Sequence, residues 1–254
     1  MGALLSYIAL FRWLQPATYF ATKVWGPLIY MIFFIFLGTY ATGEENTQFY
    51  VIGNAVLAAA LSGIYGVTMS ISGDRWEGTL PYLFGTPANR FMMFVGRAFM
   101  HILDGMLGVV IGLVWGVILF NLDLSNADPS ALALTILVTT FSTAGLGLLL
   151  GGFSLITRYV MFINNTVYFL LLIFSGANVP LQNLPGWALS VSRIIPLTRG
   201  IAASRLIIAG ADLSQISSLL TTELMIGFFY LLTGFSLFRW FEVQAKRRGT
   251  LEAF

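Results

Sequence analysis

LIYMIFFIFLG at residues 28–38 and VYFLLLIFSG at residues 167–176 are charge-free apolar runs without the alternation of a barrel strand. In lipid, backbone N–H and C=O groups must pair inside a helix or a closed barrel, so these runs are read as helices. A helix needs about 20 mostly apolar residues to cross a ~30 Å hydrocarbon layer. Residues 24–40, 50–71, 99–120, 131–156, 160–177 and 217–240 are six such stretches. A composition of 57% hydrophobic and 9% charged residues, with a mean hydropathy of +0.84, leaves too little polar surface for a soluble domain. No stretch between spans has room for a folded soluble unit of ~50 residues or more. The expected fold is an all-α integral membrane domain of six transmembrane helices, a single domain over residues 1–254.

Orientation follows from the basic residues. With six crossings the termini share a side, and that side collects Arg12, Lys23, Arg75, Arg90, Arg97, Arg158, Arg239, Lys246, Arg247 and Arg248. The other side holds Arg193, Arg199 and Arg205, with Glu44, Glu45, Asp123, Asp128 and Asp212. The positive-inside rule therefore places both termini in the cytoplasm. A net charge of +2 gives no reason to expect nucleic-acid binding. The absence of cysteine excludes disulfides and thiolate metal sites, and no metal centre is expected. Residues 1–14 read as an amphipathic helix in the inner interface, with Tyr7 and Trp13 at headgroup level.

Pro27 suits the first turn of the first span, where a missing N–H costs no bond. The second span carries Gly53, Ser62, Gly63, Gly66 and Thr68, and the fourth carries Gly145, Gly147, Gly151 and Gly152. Small faces of this kind let helices approach closely. Asp128 or Ser130 is the expected cap of the fourth helix. Residues 186–195 and 197–208 are apolar but too short to span, and are expected as two short re-entrant helices broken at Pro196.

The inner loop from Asp74 to Arg90 exceeds what a simple turn requires. Leu80, Leu83 and Phe84 share one face of a short helix, and Trp76 suits the headgroup layer. Such a helix is fitted to dock in a groove of a soluble partner. At these residues the chain resembles the permease subunits of type-2 ABC exporters. The shared pattern is Asp74-Arg75-Trp76-Glu77-Gly78-Thr79-Leu80, then Leu83, then Thr86-Pro87. On the outer side Ser175-Gly176, Pro180, Leu184-Pro185-Gly186-Trp187 and Pro196-Leu197-Thr198 continue the likeness.

The resemblance implies that Asp74, Arg75, Glu77, Gly78, Thr79, Leu80, Leu83, Thr86 and Pro87 form a coupling helix against separate ATPase subunits, two copies per transporter. Asp74 or Glu77 would pair with a basic residue of that ATPase. Pro81 departs from the pattern, fixes the helix start near Thr79 or Leu80, and puts Gly78 outside it. The partner ATPase would bind ATP and Mg, and this chain no cofactor. A second permease, identical or related, and membrane lipids complete the expected assembly in a bacterial cell membrane. Asn164, Asn165 and Ser175 are the expected path residues, and Pro180, Pro185, Trp187 and Pro196 the outer gate. The expected cargo is a lipid-like, glycolipid, peptide or antibiotic-type amphiphile.

Two other readings remain at this point. Arg97, His101 and Asp104 share a helical face and form an acid–base set in a membrane-embedded enzyme, or a structural clamp. An ion-coupled carrier would need an acid deep in the membrane, and Glu223 reads instead as a packing or capping group. No P-loop occurs, so ATP hydrolysis is not expected of this chain.

Overall fold

Apolar sequence becomes helix almost throughout the computed structural model, which describes residues 16–79, 82, 85–87, 89–154, 157 and 159–248. Helix α1 (Pro16–Thr42) ends at Gly43, whose φ of 97° only glycine adopts readily. Pro27 does not open this helix, correcting the sequence expectation. Residues 16–26 are already helical despite the Gly26-Pro27 pair, so Pro27 lies well inside, without an N–H to offer the carbonyl one turn back. A 3-10 turn (Glu44–Asn46) leads into α2 (Thr47–Ala60), a π-helical segment (Leu61–Gly66) and α3 (Val67–Trp76), which form one continuous rod.

Helix α4 (Arg90–Phe120) begins nearer the N-terminus than hydropathy suggests. Asn89 caps it, its Oδ1 accepting from Phe91 N (3.0 Å) and Met92 N (3.2 Å). Helix α5 (Pro129–Phe153) starts at Asp128, which accepts from Ser130 N at 2.8 Å, with Pro129 in the first turn. Bonds from the Ser130 hydroxyl, then from backbone N–H groups, hold the Asp128 carboxyl below the ordinary carboxylate range. Helices α6 (Val160–Phe174), α7 (Gly186–Ile194), α8 (Thr198–Ile208) and α9 (Leu213–Arg248) follow, with a 3-10 turn (Leu181–Asn183) before α7.

The protein is an all-helical, multi-pass membrane protein with five long apolar candidate spans: Phe20–Thr42, Glu44–Trp76, Phe91–Phe120, Pro129–Phe153 and Leu213–Gln244. The expected fifth of six spans is the short one. At ~1.5 Å per residue, the 15 residues of α6 rise about 22 Å, less than the hydrocarbon thickness. The two short helices at 186–194 and 198–208 are present as helices. The helix expected at residues 1–14, together with Leu80, Pro81, Leu83, Phe84 and Arg158, lies outside the described residues.

The α2–α3 rod and α5 form the buried centre, while α1 and α9 lie at the periphery. Small residues set the contact. A Cβ added to Gly147 would fall 1.9 Å from the Gly63 carbonyl oxygen, and one added to Gly145 would fall 2.6 Å from that of Gly227 on α9. Backbones therefore touch without intervening side chains, as membrane helices favour. Thr68 Oγ1 donates to the Gly147 carbonyl at 3.0 Å beside this contact. The outer faces expose Phe33, Phe36, Tyr40 and Phe229, an apolar surface suited to lipid or another chain.

Gly147→Val should force the rod away from α5 and destabilise the protein by about 1–3 kcal/mol. A lowered midpoint of thermal unfolding in detergent is the expected reading. An unchanged midpoint would refute the close-packed seam.

Candidate functional site

At one end of the bundle, the rod, α1, α4 and α5 bring together Lys23, Asp74, Arg75, Arg97 and Asp104. Asp74 pairs with Arg97 Nη2 across 2.5 Å, and Arg97 Nη1 donates to the Ser70 carbonyl. Arg75 Nη1 donates to the Ser154 carbonyl at 2.7 Å, placing a cation at the C-terminal end of α5, where the helix dipole favours it. Lys23 pairs with Asp104, which also accepts from Ser62 Oγ at 2.6 Å. His101 is buried and packs against Gly66, where a Cβ would lie 2.4 Å from its Nδ1.

These bonds divide the expected coupling residues into two sets. Asp74 and Arg75 lie in the last turns of α3 and are held by α4 and α5, so Asp74 already has a cation within its own chain. Glu77, Gly78, Thr79, Thr86 and Pro87 are exposed. Gly78 lies outside the helix, with φ 68°. Thr79 N and Gly78 N donate back to Asp74 O (2.8 Å) and Arg75 O (3.2 Å), a Schellman cap that fixes how the loop leaves. Arg97 and Asp104 are each taken by a charge from another helix, so the triad read from sequence is a clamp joining α1, the rod and α4.

At the opposite end, α7 and α8 meet around Pro196. Leu197 has φ 85°, a left-handed conformation rarely tolerated by a bulky residue. Its N–H donates to Glu223 Oε1 at 2.5 Å, and Ser142 Oγ donates to the same atom. Glu223 is fully buried and caps the start of α8 rather than its own helix. Tyr230 Oη donates to the Ile194 carbonyl at 3.0 Å, so α9 holds both short helices. Arg205 donates to the Gly176 and Phe49 carbonyls, both at 2.9 Å, with its guanidinium 3.5 Å from the centre of the Phe49 ring.

Of the expected gate residues, Pro180 and Pro185 precede the 3-10 turn and α7. Exposed Trp187 meets Phe174 edge-on at 5.9 Å. The expected path residues separate: Asn164 and Ser175 are buried within the chain, while exposed Asn165 accepts from Tyr65 Oη at 2.8 Å. Sequence reasoning did not pair Lys23 with Asp104 or Glu223 with Leu197. A lysine near the start of an apolar helix and an acid within one were the available signals.

The model of the ABC-2 type transporter family matches residues 2–209, most of the chain. The chain belongs to that family. It is similar to the daunorubicin resistance ABC transporter permease protein DrrB1 of Streptomyces coeruleorubidus, with 28% identity over 193 residues. The alignment covers 72% of this chain and 66% of that relative, just under two thirds of its length. Membership makes the chain a non-catalytic membrane permease and removes the membrane-enzyme reading. The ion-pair clamp and the Glu223 cap lie at the two ends of the described helices of this ABC-2 type chain.

Two outcomes test the assignment. Arg97→Met should cost about 3–5 kcal/mol in stability by leaving Asp74 without its cation. Adding Asp74→Asn should recover part of that loss in a double-mutant cycle; strictly additive effects would dismiss the pair. Glu223→Leu should cost about 1–3 kcal/mol through the orphaned Leu197 N–H, whereas Glu223→Gln retains an acceptor and most of the stability. Equal melting of the Leu and Gln variants would rule out the cap.

Proposed function

We propose that this permease is the transmembrane subunit of an ATP-driven exporter, coupled through the loop from Asp74 to Arg90 to separate ATPase subunits. The observation that carries the reading is the combination of ABC-2 membership with the two-part loop. Asp74 and Arg75 anchor its base to α4 and α5, while Glu77, Thr79, Thr86 and Pro87 remain exposed for a partner. A force applied to the exposed part would reach both long helices through an ion pair and a helix-end bond.

Two permeases, the same or related, would enclose a path between facing copies, with two ATPases supplying ATP and Mg binding. The whole chain acts as one permease domain with both termini cytoplasmic. Helix α6 completes a sixth crossing with the segment that follows it, and α7 and α8 dip into the outer leaflet as a gate containing Pro180, Pro185, Trp187 and Pro196. Asn165 faces the path, and rearrangement of α6 would bring Asn164 and Ser175 towards it. ATP shifts inward- and outward-facing populations only through its different affinity for the two states. The cargo class is a lipid-like, glycolipid, peptide or antibiotic-type amphiphile, in keeping with the drug-resistance name of the relative.

Co-expression with a P-loop ATPase encoded beside this chain, followed by affinity capture of the permease, provides the test. Glu77→Arg should reduce recovered ATPase by roughly tenfold or more, as truncating or reversing an interfacial charge does, with permease melting unchanged. Full recovery with Glu77→Arg and also with residues 79–87 deleted would overturn the coupling role.

A further inference from the structure

Between α1, the π-helical segment and α4 lies a cavity of about 570 Å³, within the ~300–1,000 Å³ range of small-molecule sites. Gly66 and Gly73 on the rod and Gly108 on α4 line it; a Cβ at Gly73 would meet open space, and one at Gly108 would lie 3.7 Å from Ala58 across the cavity wall. The rod wall is π-helical from Leu61 to Gly66, a rare geometry concentrated at functional sites. Ser62 and Tyr65 of that segment line the cavity. Ala58, Leu61 and Met69 give it an apolar wall, and Tyr65 and Trp76 add aromatic rings.

The polar groups are unequally charged. Asp104 and Glu77 supply two carboxylates, against one ammonium, that of Lys23. The Asp104 side chain is only 2% exposed and is bound by Lys23 and Ser62, whereas the Lys23 side chain is 21% exposed. Lys23 can thus swing its ammonium towards water on a flexible stem while Asp104 stays in place. An incoming anion would meet buried Asp104 in a low-dielectric setting and Glu77 at the exposed mouth. An incoming ammonium would replace the Lys23 charge at Asp104 and leave the buried charge balanced.

We propose that this cavity is a binding site for a cationic amphiphile, whose ammonium displaces Lys23 from Asp104 and Ser62 while its apolar body lies along Ala58, Leu61 and Met69. As a cargo site it rests on the exporter reading; as a binding site it does not. The pair is then a built-in competitor, so the site is closed by its own lysine when empty.

The test uses the full chain in lipid nanodiscs without ATPase, with rhodamine 6G as lipophilic cation and 8-anilinonaphthalene-1-sulfonate as anion. Fluorescence anisotropy should show saturable rhodamine 6G binding. Gly108→Leu, which fills the cavity, and Asp104→Asn should each weaken it at least about tenfold, and Lys23→Met should tighten it by a similar factor. Should Asp104→Asn alone fail to fold, the Lys23→Met/Asp104→Asn double variant, neutral at both positions, should show the same loss. Rhodamine 6G affinity unchanged in folded Gly108→Leu, or anion binding that is the stronger of the two and is lost in Lys23→Met, would overturn the proposal. ATPase capture by these variants, read in parallel, separates the two conclusions: preserved capture with failed dye binding removes only this site.

Discussion

The backbone of the central rod meets that of α5 at Gly63 and Gly147, and the polar contacts at both ends of the bundle are registered from that seam. Lipid offers helices no hydrophobic reason to associate, so close van der Waals contact and interhelical hydrogen bonds must hold them together. With the rod fixed against α5, Arg75 reaches the C-terminal carbonyls of α5 at one end. At the other end Gly200 of α8 fits against Thr139, where a Cβ would lie 2.0 Å from Oγ1. Side chains larger than hydrogen at these points would shift each helix along or away from its neighbour. The ion pairs would then lose their register.

Much of the fold was legible because lipid imposes simple rules. The apolar runs became helices, Asp128 capped α5, and two short helices broke at Pro196. Helix ends were less legible because hydropathy marks where lipid begins, not where hydrogen bonding stops. Helix α4 therefore extends back to Arg90 and α1 back to Pro16, past polar residues that a lipid-based reading excludes. The π-helical insertion was not foreseen: Ser62, Gly63 and Gly66 were read only as a small packing face, which an α-helix would serve equally well.

The site was half legible for a related reason. Residue type and spacing showed that Asp74, Arg97, His101 and Asp104 would lie near one end, and family likeness named the loop they adjoin. Which charge pairs with which depends on helix rotation and packing depth, and these are tertiary quantities. Because Asp74 is paired with Arg97, Glu77 and its neighbours are the exposed groups of the loop, while its base is joined to α4 and α5.

Leu197 carries a further implication. A leucine at φ 85° sits uphill in backbone energy by ~1–3 kcal/mol, held there by the carboxylate of a neighbouring helix. The joint between α7 and α8 resembles a cocked catch more than a passive bend. Withdrawal of Glu223 would remove the hydrogen bond that holds Leu197 in this conformation, so the angle between the two short helices depends on a side chain of the last helix.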